Sequence, residues 1–250
     1  MQIIYNSGMK KYYEGTISCK AILENPQRTC TCLYIDKKKL DKKKRNREFR
    51  YIINLAKKQG CPVRFLERKE MDALTDNQRY GGILLEAQSL EKRKLGHAQG
   101  FLAYVDGVED PYNLGSVCRS LYASGCDGLI LPNRDWSKSE TTILKASAGA
   151  YEKLPIYWID SEQELVTYLQ ENHIPLYCAY RNHAKSLTDW QFPHSFCVAI
   201  GGALRGLSAT VLQASSQNLV IEYGRDFRNA LDTPSAVAVI AFEILRQQSE

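Results

Sequence analysis

The residues best placed to do chemistry lie between Val108 and Leu131, in VEDPYNLGSVCRSLYASGCDGLIL. An apolar stretch, Phe101 to Val105, leads into them and reads as a strand. Asp110-Pro111 ends that strand, Asn113 can cap or turn the chain, and Gly115 lets a ligand or another backbone come close. In the helical pattern that follows, Leu114, Val117, Cys118, Leu121 and Tyr122 form an apolar stripe, and Arg119 lies well off it. An arginine there is either a solvated surface group or a bidentate clamp for a phosphate. Ligands of open parallel sheets sit at the carboxyl ends of strands, where loops lead into helices. The strand pattern FCVAI likewise enters a glycine pair, Gly201-Gly202.

These residues belong to a chain of 250, 44% hydrophobic and 24% charged, long enough for one large domain or two small ones with a sizeable core. The net charge of +5 is uneven: Lys37 to Arg50 holds nine lysines and arginines against Asp41 and Glu48. Such a run fits a polyanionic partner or a solvated surface. The eight cysteines form no Cys-x-x-Cys pair and only four histidines accompany them, so no metal site is expected. Several cysteines fall in apolar runs such as SFCVAI and PLYCAY, as reduced buried thiols do. The first residues lack the apolar core of a signal peptide, and no apolar run approaches the ~20 residues that span a bilayer. A cytoplasmic protein without membrane contact is the expectation.

The elements that must position these residues fall into two series. From Cys19 to Glu86 the pattern gives helix (CKAILEN), strand (TCTCLYI), helix (REFRYIINLAKKQGC), strand (PVRFL), short helix (KEMDALT) and strand (GGILLEA). Phe49, Ile52, Ile53 and Ala56 share one helical face, and Gly60 is its stop. This makes an α/β/α unit over 1–90, followed by a polar linker at 91–99. From 100 to 250, strands alternate with helices, which implies a mostly parallel sheet covered on both faces. SETTILKASAG should open on a Ser-x-x-Thr cap. In the last helix, TPSAVAVIAFEILRQQ, Asp232 or Thr233 can cap, Pro234 suits the first turn, and Ala236 to Ala241 is apolar on every side. Such a helix must be covered all round, by its own domain or by a second subunit.

The segment DPYNLGSVCRSLYASGCDGLIL resembles the first motif of the SpoU-type (TrmH-like) RNA ribose methyltransferases of the SPOUT superfamily. KASAGAYEKLPI resembles the stretch that follows it, VAIGGALRGLS the second motif, and VIEYGRDFRNALDTPSAVAVIAFEILRQ the third. The likeness runs from about Gly100 to the C-terminus, and the preceding unit resembles the family's small ribosomal-protein-like substrate-binding domain. The resemblance implies a parallel-sheet SPOUT domain with a C-terminal trefoil knot. It implies S-adenosylmethionine as cofactor, a homodimer through the knotted region, and methylation of a ribose 2′-hydroxyl in rRNA or tRNA.

Matched position by position, it makes Asn113 and Arg119 the asparagine and arginine of motif one. Gly201, with Gly202 beside it, is the glycine whose backbone lies at the cofactor. Ile221 and Leu231 are apolar positions of motif three that contact the adenosine. The family's arginine is described as the base that takes the hydroxyl proton, but a guanidinium pKa above ~12 favours a role in orienting phosphate and hydroxyl. Ala203 stands where motif two carries a glutamate, and Ala230-Leu231-Asp232 where motif three reads Ser-Leu-Asn. Asp232 keeps an oxygen there and adds a charge, able to act at the site, pair with an arginine, or cap the helix. These losses leave open an RNA-binding protein of the same fold with reduced or lost methyl transfer. A Rossmann-type nucleotide enzyme is disfavoured because no Gly-x-Gly-x-x-Gly follows the first strand of either series.

Overall fold

The computed structural model describes residues 10–39, 43–75, 80–202 and 205–249. It resolves into two compact units, one of residues up to 91 together with 137–153, the other of 92–136 and 154 onward. The first contains β1 (Lys10–Glu14), α1 (Gly15–Glu24), β2 (Cys30–Asp36), α2 (Lys43–Lys58), β3 (Val63–Leu66), α3 (Arg68–Asp72) and β4 (Ile83–Gln88). Its sheet has the order β1-β4-β2-β3, antiparallel except between β2 and β3. Phe49, Ile52 and Ala56 are buried as the helical pattern requires, Ile53 is half-buried, and Gly60 ends the turn with φ +68°. Strand β1 has no counterpart in the hydropathy reading, because KKYYE is an edge strand whose buried members are a tyrosine and a glutamate, Tyr13 and Glu14. In the basic run, Lys37, Lys38, Arg47 and Arg50 are exposed, while residues 40–42 lie outside those described.

The second unit contains β5 (Arg93–Lys94), β6 (Phe101–Val105), α4 (Pro111–Ala123) and β7 (Gly128–Pro132). After α5 (Glu140–Ala146), which packs in the first unit, come β8 (Ile156–Ile159), α6 (Glu162–Glu171), β9 (Leu176–Ala179) and β10 (Ala184–Ser186). β11 (Phe196–Ile200), α7 (Ala209–Gln213), β12 (Gln217–Val220) and α8 (Thr233–Gln248) complete it. The strand order is β10-β12-β9-β11-β6-β7-β8-β5, and every pairing is parallel. Strand β6 is buried at all its residues, with Leu102 and Tyr104 in a core shared with Leu165, Leu169 and Val211 of α6 and α7. Successive side chains alternate faces, so Phe101, Ala103 and Val105 point to the other side. Burial on both faces is what a parallel sheet wrapped by crossover helices produces. From β6 the chain builds outward through β7 and β8, then jumps across to β9 and returns with β11 beside β6. The crevice at such a reversal of strand order is where open sheets bind ligands.

The first unit is not one continuous stretch, because 137–153 supplies part of its core. Arg28, with a side chain 1% exposed, faces Glu140 at 3.1 Å and Glu152 at 3.4 Å, and its guanidinium lies 4.9 Å from the Tyr13 ring centroid. The Tyr13 hydroxyl donates to Glu140 at 2.8 Å, and the Asn25 amide donates to Glu152 at 2.8 Å. Burial alone would lower the Arg28 pKa, but facing Glu152, Tyr13 and Glu140 outweighs it and raises the pKa. Ser139 precedes α5 without the side-chain cap that the sequence pattern suggests. The buried ion cluster, rather than a cap, holds this segment. Arg28→Ala leaves Glu140 and Glu152 buried without their cation, and should destabilise the protein by about 3–5 kcal/mol in urea unfolding. A loss below about 1 kcal/mol would show that the cluster does not hold the segment.

Candidate active site

Backbone contact sets the geometry at the carboxyl ends of β6 and β11. A Cβ on Gly201 would lie 2.4 Å from the carbonyl carbon of Gly206 and 2.6 Å from the Leu207 nitrogen. A Cβ on Gly107, whose φ is +67°, would lie 2.8 Å from the Cα of Gly202. The glycines are therefore demanded by neighbouring backbone, a reason different from the ligand approach read in the sequence. The Gly206 N–H donates to the Gly202 carbonyl at 2.9 Å, closing a turn in which Ala203 and Leu204 lie outside the described residues. The Thr233 hydroxyl donates to the Gly201 carbonyl at 3.4 Å, tying the start of α8 to the same turn.

Two cavities open around this contact. The first, of about 390 Å³, is lined by Gly201, Gly202, Ile221 and Leu231 together with Leu207 and Leu219. Four positions expected at a cofactor are thus walls of one space, although three separate segments supply them. Its volume lies within the roughly 300–1,000 Å³ of small-molecule sites. The donor set suits an adenosine: branched aliphatic side chains for the ring faces, backbone groups of three glycines for a polar edge. The second cavity, of about 570 Å³, is lined by Asn113, Asp232, Asp106, Arg205, Asn133 and Arg134 among others, and Gly202 is a wall of both.

Caps fix the two helices that begin at the second cavity. The Asp110 carboxylate accepts from the Asn113 N–H at 2.9 Å, so the cap of α4 is Asp110 and not Asn113. Asn113 sits in the first turn, with its backbone N–H engaged by the cap, and is one of the residues lining the cavity. Asp232 caps α8, with Oδ1 accepting from the Ser235 N–H at 2.8 Å, and Pro234 occupies the first turn. Among the described residues its side chain makes no other hydrogen bond. Burial raises the pKa of Asp106 above the ordinary carboxylate value, and a hydrogen bond of 2.6 Å from the Gly107 N–H works against that rise.

Residues 100–242 match the family model described as SpoU rRNA Methylase. The chain belongs to that family of RNA methyltransferases. Residues 12–93 match the model described as RNA 2′-O ribose methyltransferase substrate binding. A TrmH family protein of Staphylococcus epidermidis, named for tRNA/rRNA methylation, is 27% identical over 207 residues, covering 80% of this chain and 83% of its own. A TrmH family structure from Porphyromonas gingivalis has a TM-score of 0.77 at 19% identity, over 95% of this chain and 90% of that one. The SpoU methyltransferase AviRb of Streptomyces viridochromogenes, in complex with AdoMet, has a TM-score of 0.74 at 18% identity, over 96% and 91%. At these identities the two structures share the fold.

The SpoU motif residues are not all gathered. Arg119 is exposed on α4, lines neither cavity, and makes no hydrogen bond or ion pair among the described residues. Sequence reading passed over Arg134 and Trp136 after β7, and Arg181 and Tyr223 at the first cavity. The rule that singled out Asn113 would have found Arg134 and Arg181, since each follows the carboxyl end of a parallel strand. Gly201→Ala should destabilise the fold by about 1–3 kcal/mol or more, because the added methyl meets backbone. Gly224→Ala, with nothing within 4 Å of its Cβ, is the control and should change stability little. Equal melting temperatures for the two variants would contradict the close contact.

Proposed function

We propose that this SpoU family member transfers a methyl group from S-adenosylmethionine to a ribose 2′-hydroxyl of rRNA or tRNA. The observation that carries the reading is the pair of cavities sharing Gly202: Gly201, Ile221 and Leu231 line one, Asn113 and Asp232 the other. The first would hold the cofactor, which supplies a methyl group already activated by a sulfonium. The second would hold the target ribose. There the Asn113 amide orients the hydroxyl, and Asp232 Oδ2, which the cap leaves without a partner, takes its proton. Asp106 belongs to the same wall. Much of the rate then comes from positioning. The SpoU reading also carries a trefoil knot through the turn after β11 and the loop before α8. The first unit would hold RNA, with the basic run from Lys37 to Arg50 on phosphates. No helix among the described residues is long and apolar enough to cross a membrane. Eight unpaired cysteines fit a reducing cytoplasm.

A homodimer through α8 belongs to the same proposal. Val237 and Ile240 are buried inside their own unit, so the outer face of α8 is Val239 and Phe242, 43% and 48% exposed. Tyr112 and Tyr122 are exposed on α4, the helix that packs against α8. Phe242→Asp should shift the protein from dimer to monomer in sedimentation while preserving its melting temperature, whereas a charge at Val237 should unfold it. A wild-type monomer at micromolar concentration would remove the dimer from the reading. Arg119 lies on this helix pair, so dimerisation would decide what it faces.

Methyl transfer to total RNA tests the function itself. Arg119→Ala should keep cofactor affinity and lose transfer by about 100-fold or more, since a displacement of ~1 Å costs that much. Arg119→Lys should rescue little, because an ammonium lacks the planar fork. Transfer within a few-fold of wild type in both variants would make Arg119 a solvated surface group. Cofactor binding without any transfer by the wild type would favour an RNA-binding protein lacking turnover.

A further inference from the structure

The loop from β12 to α8 forms one wall of the first cavity, yet little of its own backbone holds it. Among the described residues, no backbone group between Glu222 and Leu231 bonds to another backbone group. Three of its groups are held by side chains. Arg181 Nη1 donates to the Arg228 carbonyl and Nη2 to the Asn229 carbonyl, each at 2.7 Å. The Leu231 N–H donates to the Tyr223 hydroxyl at 3.1 Å. The Arg181 guanidinium lies 4.9 Å from the centroid of the Tyr223 ring, so fork and ring brace each other. Arg181, Tyr223, Arg228 and Leu231 all line the cavity that also holds Gly201 and Ile221.

We propose that Arg181 is a positioning residue for the cofactor: it latches residues 222–231 in the shape that completes the cofactor cavity. This rests on the proposed function, which puts S-adenosylmethionine in that cavity. The physical argument concerns the state before binding. A loop of ten residues without backbone pairing samples many shapes, and only those placing Leu231 and Tyr223 at the cavity can bind. Apparent affinity falls in proportion to the fraction of competent molecules. A guanidinium spanning two successive carbonyls raises that fraction, because one rigid plane fixes two points of the loop. The latch starts two residues past the end of β9, and so ties the loop to the edge of the sheet where the strands end. It touches the loop backbone and does not reach the second cavity, so its effect falls on cofactor binding and not on the hydroxyl.

The test is calorimetric titration of S-adenosylmethionine into the full-length wild type, Arg181→Ala, Arg181→Lys and Tyr223→Phe, with melting temperatures and steady-state methyl transfer on each. Arg181→Ala should weaken binding by about 10- to 100-fold and raise the cofactor KM similarly. Its kcat at saturating cofactor should stay within a few-fold of wild type, and its melting temperature should be unchanged. Arg181→Lys should not restore affinity, since one ammonium cannot bridge both carbonyls. Tyr223→Phe keeps the ring and removes only the acceptor for Leu231, so its loss should be smaller. Hydrogen exchange over 222–231, without cofactor, should be faster in Arg181→Ala than in wild type. Wild-type affinity in Arg181→Ala, full rescue by lysine, or a fall in kcat at unchanged KM would each overturn the latch. A wild type that does not bind S-adenosylmethionine would overturn the cofactor reading itself.

Discussion

The site depends on backbone lying directly against backbone. Gly201 packs on the 206–207 turn, and Gly107 packs on Gly202, at separations that leave no room for a Cβ. Through these contacts the loop after β6, the turn after β11 and the start of α8 come together, although Asn113 and Leu231 are far apart in the chain. The shared wall at Gly202 follows directly, because a backbone without a side chain is thin enough to face two cavities at once. Widening the contact by a methyl group would move the floor of one cavity and the side of the other together.

Everything else in the second unit supplies rigidity to that contact. All strands run parallel, so their carboxyl ends share one edge, and the reversal of order between β7–β8 and β9 opens a crevice there. The two helices that start at the crevice pack against each other and begin with the same device, an aspartate accepting from the N–H three residues on. Asp110 and Asp232 thereby fix the first turns from which Asn113 and Thr233 project. At the opposite extreme, the 222–231 loop has no ladder of its own and borrows order from Arg181 and Tyr223.

Much of this was legible in the residues. Alternating strand and helix patterns gave the parallel sheet, and three motifs in order gave the positions that line the cavities. What escaped reading has common physical causes. Strands β1, β5 and β10 are edge or near-edge elements with charged or small residues, so hydropathy carries little of their signal. Asn113 and Asp110 are both good caps by type, and only the backbone geometry decides between them. Ser139 has the right spacing for a cap, but its φ and ψ, −110° and 0°, hold it away from the extended conformation typical of that role. The strand-end rule can mark Arg181, but no local pattern shows its pairing, because its partners lie 47 and 48 residues further along the chain. The last helix reads as apolar on every side, and pattern alone could not divide its buried face at Val237 and Ile240 from its exposed one at Val239 and Phe242.

The excursion of 137–153 into the first unit bears on how the chain is made. Synthesis runs from the N-terminus, and an early unit usually folds as soon as its own residues emerge. Here Arg28 emerges more than a hundred residues before Glu140 and Glu152, the carboxylates it faces in the finished core. Until they arrive, the nascent first unit must either leave that guanidinium in water, with its core unclosed, or bury an uncompensated charge. The N-terminal unit therefore comes first in the sequence but cannot be the first to finish folding. Its completion waits on a stretch of chain that lies beyond the third strand of the neighbouring sheet.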